Sequence, residues 1–498
     1  MEHQITIEEA GESLLSCAAF LAENIKSSDG HAEAMKEIIP RYLAKNAVDL
    51  AAEFANSVAD PFTRDRLLVL VAEKCAAIDD DEYAVQLVES IEDFGTRAQA
   101  NEKLAVQKSL KGEFAKALEY AETLAHADDV FGDIAAHQIE AGDEVAALKT
   151  LSRIEFPNAK VVALQNIAHQ YLQKGETARA VELLDQAAAA ANEIEFTEEK
   201  VRALIDLGNH FIEARENGRA IEKFDQAKTA AETLDNQHRD LFLTNIALGF
   251  LRAGTLELAD RTLDLITDNA QTASTLLGYS HHFRAQNEPD EAAETLEEAY
   301  AILKSQKDRD VRDSRGRYNL WATIAIEFAR IEKPDRAVEI AQEIIDETAQ
   351  TTALSNIAQV CAMQSKDQSA RQSLNGIADD AQKMFALIGI SDAKVQTEKT
   401  DEALNYLREA ENLSETVPQL ASRSAALNEL ARRFQGLGDA AKARQLLHEN
   451  LELIPTIRDE SSRAVALAQL SDFYEQLNYE LNDAEKEILQ TLVRQAGG

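Results

Sequence analysis

Few residues in this sequence are arranged as they are in known catalytic motifs. Its three cysteines, Cys17, Cys75 and Cys361, lie far apart, so they predict neither a disulfide framework nor a metal-binding pair. Its ten histidines are scattered, and the neighbours His281 and His282 would lie on different sides of a helix, where they could not easily bind one metal. We find no nucleotide-binding loop, no HExxH and no Gly-x-Ser-x-Gly. The sequence therefore predicts no catalytic residue, no metal site and no cofactor, and a protein that is not an enzyme.

The composition is strongly acidic, with 88 acidic and 51 basic residues and a net charge of −37. An acidic surface of this size repels nucleic acid and anionic lipid, so we expect neither as a partner. Solubility is the simpler explanation of the charge, and a basic partner is the functional one. No apolar run approaches the roughly 18 residues that span a membrane, and the N-terminus lacks the pattern of a signal peptide. We expect a cytoplasmic protein.

Apolar residues recur in units that each contain two helical faces. The clearest unit has the residues Leu164, Ile167, Ala168 and Tyr171, then Gly175, then Ala180, Leu184 and Ala187. Spacings of three and four mark one face of a helix, and the glycine between the two sets marks a helix end. Later units begin at Leu204, Leu243, Trp321 and Leu427. The pattern predicts a series of helical hairpins.

One small residue recurs in each predicted second helix. These residues are Ala51, Ala84, Ala117, Ala147, Ala180, Ala220, Ala259, Ala292, Ala337, Ala370, Ala403 and Ala443. Successive positions are 30 to 45 residues apart. A small side chain is needed where two helices approach closely, so this regularity predicts about a dozen stacked hairpins.

The spacing resembles the tetratricopeptide pattern W-x2-L-G-x2-Y followed by A-x3-F. Trp321, Gly208, Tyr171 and Phe224 occupy the tryptophan, glycine, tyrosine and phenylalanine slots of their units. Most other units have alanine for the glycine and leucine for the tryptophan. The resemblance implies an all-α, right-handed α-solenoid of about twelve to thirteen antiparallel helix–turn–helix repeats. It also favours core packing for Trp321 and for Cys75 and Cys361, since both cysteines occupy tyrosine slots.

The same reading divides the chain into three parts. Residues 1–31 would form an N-terminal leading helix or cap, and residues 32–460 a continuous repeat array. Residues 461–498 would form a degenerate capping hairpin and tail. Atypical ends are expected because end units must cover the exposed apolar face of a stack.

In tetratricopeptide proteins the first helix of each hairpin lines a concave groove, which usually holds a peptide or a partner helix. The resemblance implies the same here, and we expect the following polar residues to face the groove: His169, Gln173, Arg202, Asn209, Glu213, Arg252, His281, Arg284, Arg330, Gln359 and Arg432. The predicted binding residues are Arg202, Asn209, Arg252, His281, Arg284, Arg330 and Arg432. Arginines in so acidic a protein would suit a carboxylate-rich segment. The alternative is that they pair with neighbouring Glu and Asp residues on the same surface.

The widest gap between small residues contains a mixed-charge segment. Its arginines are Arg309, Arg312, Arg315 and Arg317, interspersed with aspartates. Insertions in repeat arrays often lie on the binding face, which makes these arginines possible partner contacts. The alternative is a helix extension with alternating charges.

The repeat array and the lack of catalytic motifs favour a scaffold that binds a protein or peptide partner. Three alternatives stay open: an enzyme or enzyme subunit with a site built on the solenoid, a peptide-responsive regulator, and a structural protein that assembles with itself end to end. The sequence does not indicate the partner's identity or the oligomeric state.

Overall fold

The computed structural model describes residues 4–235, 238–305 and 314–497. These residues form 28 α-helices and no β-strand. The first ten are α1 Ile7–Glu12, α2 Leu14–Glu23, α3 Ser28–Ala44, α4 Val48–Ser57, α5 Pro61–Ala77, α6 Asp81–Ser90, α7 Phe94–Leu110, α8 Phe114–Glu122, α9 Asp128–Glu140 and α10 Glu144–Leu151. The next ten are α11 Pro157–Gln173, α12 Thr177–Asn192, α13 Thr197–Glu213, α14 Asn217–Ala231, α15 His238–Arg252, α16 Leu256–Leu263, α17 Asn269–Ala285, α18 Pro289–Ser305, α19 Ser314–Arg330 and α20 Pro334–Gln342. The last eight are α21 Glu347–Met363, α22 Asp367–Asn375, α23 Asp380–Gln396, α24 Thr400–Ser414, α25 Leu420–Gly436, α26 Ala440–Leu453, α27 Glu460–Gln476 and α28 Asp483–Ala496. None of the described helices is long and apolar enough to cross a membrane.

From α3 onward the helices form hairpins, and each hairpin turn contains one residue in the left-handed conformation. Eight of these residues are not glycine and five are glycine, which gives thirteen turns among the described residues. Gly175, with φ of 78°, ends α11. The N–H of Glu176 donates to the carbonyl of Tyr171 at 2.8 Å, and the N–H of Gly175 donates to that of Leu172 at 3.0 Å. This pair of bonds satisfies carbonyls at the helix end, so the predicted break at Gly175 is confirmed.

The twelve small residues of the second helices are all inaccessible to solvent, with 0% exposure. Each lies five positions after the left-handed residue of its turn, as Ala180 follows Gly175. Because the turns share one geometry, the same position of each second helix faces its first helix. The alanine at this position lets the two helices approach closely. The predicted all-α array of about twelve to thirteen hairpins is confirmed.

Two first helices each have a glycine against the same aromatic ring of a second helix. A Cβ atom at Gly208 of α13 would lie 2.5 Å from the ring of Phe224, and one at Gly249 of α15 would be as close. The Phe224 ring is therefore clamped between two first helices. Replacing either glycine by alanine would force this ring to move, which typically costs about 1–3 kcal/mol.

The cysteines and the tryptophan are core residues. Cys17, Cys75 and Cys361 are fully buried and carry free thiols. Burial raises the pKa of the Cys17 thiol to about 12 and that of Cys75 to about 11, so neither forms the reactive thiolate at neutral pH. Trp321 is buried against the rings of Tyr300 and Tyr318.

The described residues fall into two compact units. Unit 1 contains the residues up to Leu104 and those from Ala358 onward, and unit 2 runs from Ala105 to Ile357. Within unit 1, α2 packs on α27, and α1 packs on α28. The guanidinium of Arg41 donates to the carboxylate of Asp472 at 2.8 and 3.0 Å, which joins residues 431 positions apart. Lys486 also pairs with Glu12. The first and last described helices therefore bind each other.

Candidate binding groove

The predicted groove residues of unit 2 lie on first helices. On α13, Val201, Leu204, Leu207 and Phe211 are buried, whereas Arg202, Asp206, Asn209 and Glu213 follow one another at spacings of four, three and four on the opposite side. On α15, Leu241, Asn245, Leu248 and Arg252 follow the same spacing. This spacing places residues on one face of a helix. Burial of one side of each first helix thus turns one row of residues outward, which is polar throughout on α13 and mixed on α15.

The polar rows of α13 and α15 enclose a cavity of about 360 Å³. Its lining residues are Arg202, Ile205, Asp206, Asn209, Leu241, Phe242, Asn245 and Arg252. Three predicted binding residues, Arg202, Asn209 and Arg252, are therefore brought together. The Asn245 side chain is exposed. It makes no hydrogen bond within the described part of the chain.

Arg252 is held in place without an ion pair. Its Nη2 donates to Oδ1 of Asn209 at 2.8 Å, and its Nε donates to the carbonyl of Leu248 at 3.3 Å. Desolvation lowers the pKa of Arg252, although attraction from Glu213 opposes the change. An arginine stays charged in proteins, so a positive charge persists at this cavity. Arg202 is also exposed and has no ion pair with any described carboxylate.

Three other predicted binding residues surround one buried carboxylate, which we call the Glu327 cluster: Glu327, His281, Arg284 and Arg330. Nε2 of His281 and Nε of Arg284 lie 3.2 and 3.1 Å from the carboxylate oxygens of Glu327, and Arg330 pairs with it as well. Glu327 is 0% exposed, whereas its three partners are close to half exposed. Desolvation would raise its pKa, but these partners outweigh it and lower the pKa to about 2. Pairing within the same surface therefore explains these residues.

Arg432 belongs to unit 1 and pairs with Glu429 on its own helix at 2.8 Å. It lies three residues after its partner, as exposed helical ion pairs often do. The other six predicted binding residues belong to unit 2, and a binding role for Arg432 stays a prediction.

Two histidines and a glutamate meet at the ends of α11 and α13, and we call them the Glu213 cluster: His169, His210 and Glu213. Nδ1 of His169 and Nδ1 of His210 lie 3.1 and 3.2 Å from Oε2 of Glu213. Desolvation would raise the pKa of Glu213, but the hydrogen bonds from both histidines lower it. The side chains are 45%, 21% and 46% exposed for His169, His210 and Glu213. Sequence reasoning placed His169 and Glu213 in the groove but not His210, and it did not group the three.

A larger cavity of about 590 Å³ lies at the starts of α11 and α13. Phe156 and Phe196, which precede these helices, line it and are exposed. Its wall also carries the carboxylates of Asp128, Asp129, Glu193, Glu195 and Glu199. Asp128 accepts hydrogen bonds from the N–H groups of Glu155 and Phe156 at 3.0 and 2.7 Å and so holds the turn. The sequence analysis did not find this cavity because its aromatic residues lie between the repeats rather than in a motif slot.

No protein-family model and no curated protein matches the chain. Solved structures that are similar include Ton1535 from Thermococcus onnurineus NA1, with 16% identity, 72% of this chain and 98% of that chain covered, and a TM-score of 0.25. The apo form of RapI has 15% identity, coverages of 75% and 95%, and a TM-score of 0.30. The Cut9-Hcn1 hetero-tetramer of the APC/C has 12% identity, coverages of 90% and 89%, and a TM-score of 0.22.

These TM-scores are too low to carry an argument, so the chain's own repeats decide its class. Thirteen hairpin turns share one left-handed residue, and twelve buried alanines follow at constant spacing. Gly208 and Phe224 pack directly together, as the slots of the motif require. The described residues form an α-solenoid whose repeats resemble the tetratricopeptide pattern.

The mixed-charge segment of this tetratricopeptide-like solenoid is described only in part. Arg309 and Arg312 lie outside the described residues. Arg315 is exposed at the start of α19. Arg317 is 5% exposed, and its guanidinium lies 4.7 Å from the ring centre of Tyr318. Its guanidinium also lies 5.8 Å from the ring centre of Trp321, and a partner contact by these arginines stays a prediction.

Proposed function

We propose that the chain is a non-catalytic interaction scaffold that binds a carboxylate-bearing peptide segment in the cavity between α13 and α15. The observation that carries this proposal is the pair of arginines, Arg202 and Arg252, which line one cavity and have no ion pair with any described carboxylate. Two guanidinium groups that line one cavity can together bind a carboxylate from another chain.

The cavity offers complementary groups for such a segment. Asn209 fixes the Arg252 guanidinium, whose remaining N–H donors can bind a carboxylate in two-point fashion. The amide of Asn245 can donate to and accept from a peptide backbone. Leu241 supplies an exposed apolar contact. A volume of about 360 Å³ suits one or two side chains of an extended segment rather than a folded partner.

The test is affinity selection of random peptides by the full chain, followed by binding measurements on the selected sequences. We expect selected peptides to be rich in Asp and Glu, and Arg252→Gln to weaken their binding by about tenfold, since a charged hydrogen-bonded contact contributes about 1.5–3 kcal/mol. Raising the salt concentration should weaken binding further.

Arg261→Gln is the matched control, because Arg261 is exposed on α16 and pairs with Glu257 on the same helix. It should leave peptide affinity unchanged. Arg284 and Arg330 are unsuitable for this test because they neutralise Glu327, and their replacement would disturb the fold. Selection of peptides without acidic residues, or an Arg252→Gln variant with normal affinity, would refute the proposal.

A second candidate function is favoured by the cavity of Phe156 and Phe196. Exposed aromatic rings surrounded by carboxylates suit a lysine or arginine side chain, because the ring faces and the carboxylates both attract a cation. The same peptide selection separates the candidates. Basic peptides whose binding depends on Phe196 and not on Arg252 would indicate that the solenoid binds a basic partner at this cavity instead.

A further inference from the structure

The Glu213 cluster has the composition and spacing of a metal site. We propose that His169, His210 and Glu213 bind a divalent transition-metal ion, for which zinc is the best match. Two imidazoles and one carboxylate are a common ligand set of zinc sites that keep one coordination position open. This inference does not depend on the proposed peptide-binding function.

The distances between the donor atoms fit zinc coordination. Bonds of about 2.0–2.1 Å in a tetrahedral site place neighbouring ligand atoms about 3.3 Å apart. Nδ1 of His169 and Nδ1 of His210 are 3.1 and 3.2 Å from Oε2 of Glu213. One ligand atom from each of the three residues lies within 4.8 Å of the other two. These distances are compatible with one zinc ion bound by all three side chains after small side-chain movements.

Rigid helices support all three ligands. His210 and Glu213 lie three positions apart in the last turn of α13, which places them on one face of the helix. Between them, Phe211 is fully buried and fixes the backbone of this turn. His169 lies near the end of α11, directly after the fully buried Ala168. A site on packed helices is held more accurately than a site on loops.

Gln173 supports the orientation of one ligand. Its side-chain amide lies 2.9 Å from Nε2 of His169, on the side of the ring opposite to Glu213. Histidine ligands commonly donate their second N–H to a neighbouring acceptor, which orients the ring and strengthens the metal bond. The amide of Gln173 can turn its oxygen toward Nε2 and accept this hydrogen bond once the metal occupies Nδ1.

The open coordination position would face the groove. All three ligand side chains are partly exposed, so water or a partner's side chain can approach. Glu213 also attracts the positive charge of Arg252. A bound zinc ion would add positive charge beside this arginine and favour an anionic fourth ligand, such as a carboxylate.

The experiment is a zinc titration of the full chain by calorimetry in the presence of excess Mg²⁺. The magnesium occupies the many surface carboxylates, because it prefers oxygen ligands and dehydrates reluctantly at nitrogen sites. We expect one zinc ion per chain. His169→Ala and His210→Ala should each weaken zinc binding at least 100-fold, and Gln173→Ala should weaken it about tenfold.

His238→Ala is the matched control, because His238 is also a partly exposed histidine that contacts a glutamate, Glu198 at 3.1 Å. It should leave the zinc affinity of the cluster unchanged. Circular dichroism of each variant verifies that the helices remain. The proposal is overturned if the wild-type chain binds no zinc under these conditions, or if His169→Ala and His210→Ala bind it as the wild type does.

Discussion

Glu213 on α13 and Glu327 on α19 both belong to unit 2, and both accept hydrogen bonds from histidine, yet their surroundings differ. Glu327 is fully buried, and Arg284 and Arg330 join His281 around it. Glu213 is nearly half exposed, and its two hydrogen-bonding partners are both imidazoles. Arginines are permanent cations, whereas a neutral imidazole has a lone pair that can bind a metal. In the Glu327 cluster, permanently charged arginines therefore neutralise the carboxylate. In the Glu213 cluster, the imidazoles can exchange a proton for a metal ion.

Removing the buried charge of Glu327 should have the largest effect on the free energy of unfolding. Glu327→Gln keeps the size of the side chain but leaves two guanidinium groups without their anion. Breaking a buried ion pair typically costs 3–5 kcal/mol, and the partial exposure of the arginines argues for the lower end, about 3 kcal/mol. Urea denaturation at pH 7 measures the loss. A loss below about 1 kcal/mol, the level of a surface pair, would show that Glu327 is no different from Glu213.

The same charge predicts a pH dependence of stability. The pKa of Glu327 is about 2, below its ordinary value of 4.5, because its cationic partners outweigh desolvation. A lowered folded-state pKa stabilises the protein fully above 4.5, and this contribution is lost as the pH falls toward 2. The difference in unfolding free energy between wild type and Glu327→Gln, about 3 kcal/mol, should therefore shrink between these values. A difference that stays constant over this range would show that Glu327 is not the group responsible.

A substitution in the exposed Glu213 cluster should have the smallest effect on the free energy of unfolding. Glu213→Gln removes a carboxylate that is nearly half exposed and whose hydrogen-bonding partners are two partly exposed histidines. The metal-free variant should lose less than about 1 kcal/mol of stability. Thermal unfolding without and with zinc tests both clusters together. Zinc should stabilise the wild type but not Glu213→Gln, and equal stabilisation of both would remove the distinction between the clusters.

The fold could be predicted because its signals are local and repeated. Ala180, Ala220 and Ala259 are buried as their spacing requires, and Gly175 ends its helix. Each hairpin packs in the same way, so it can be assigned from its own residues. A wrong assignment of one hairpin does not change the assignment of the next. The repeat count follows from these positions alone.

The contacts between groove residues were harder to predict, because they join helices that are not consecutive. His169 contacts Glu213, 44 positions later, and Asn209 contacts Arg252, 43 positions later. Each interval equals one local repeat, 40 or 39 residues, plus about one helical turn. Repeat lengths vary from 30 to 45 residues, so a fixed period cannot match the partners. Comparing each first helix with the next at its own spacing would have found both pairs, and with them the Glu213 cluster.

The contacts of α1 and α2 with α27 and α28 also affect how the molecule comes apart. In an open stack the outermost repeat has one neighbour and frays first. Here Leu14, Leu15 and Phe20 of α2 are buried. Helix α27 packs against α2, as the two helices of a hairpin pack against each other. Loss of α28 would therefore expose the apolar surface of α1, and loss of α1 would expose that of α28. A protease that cut one exposed turn would leave two fragments that still hold together.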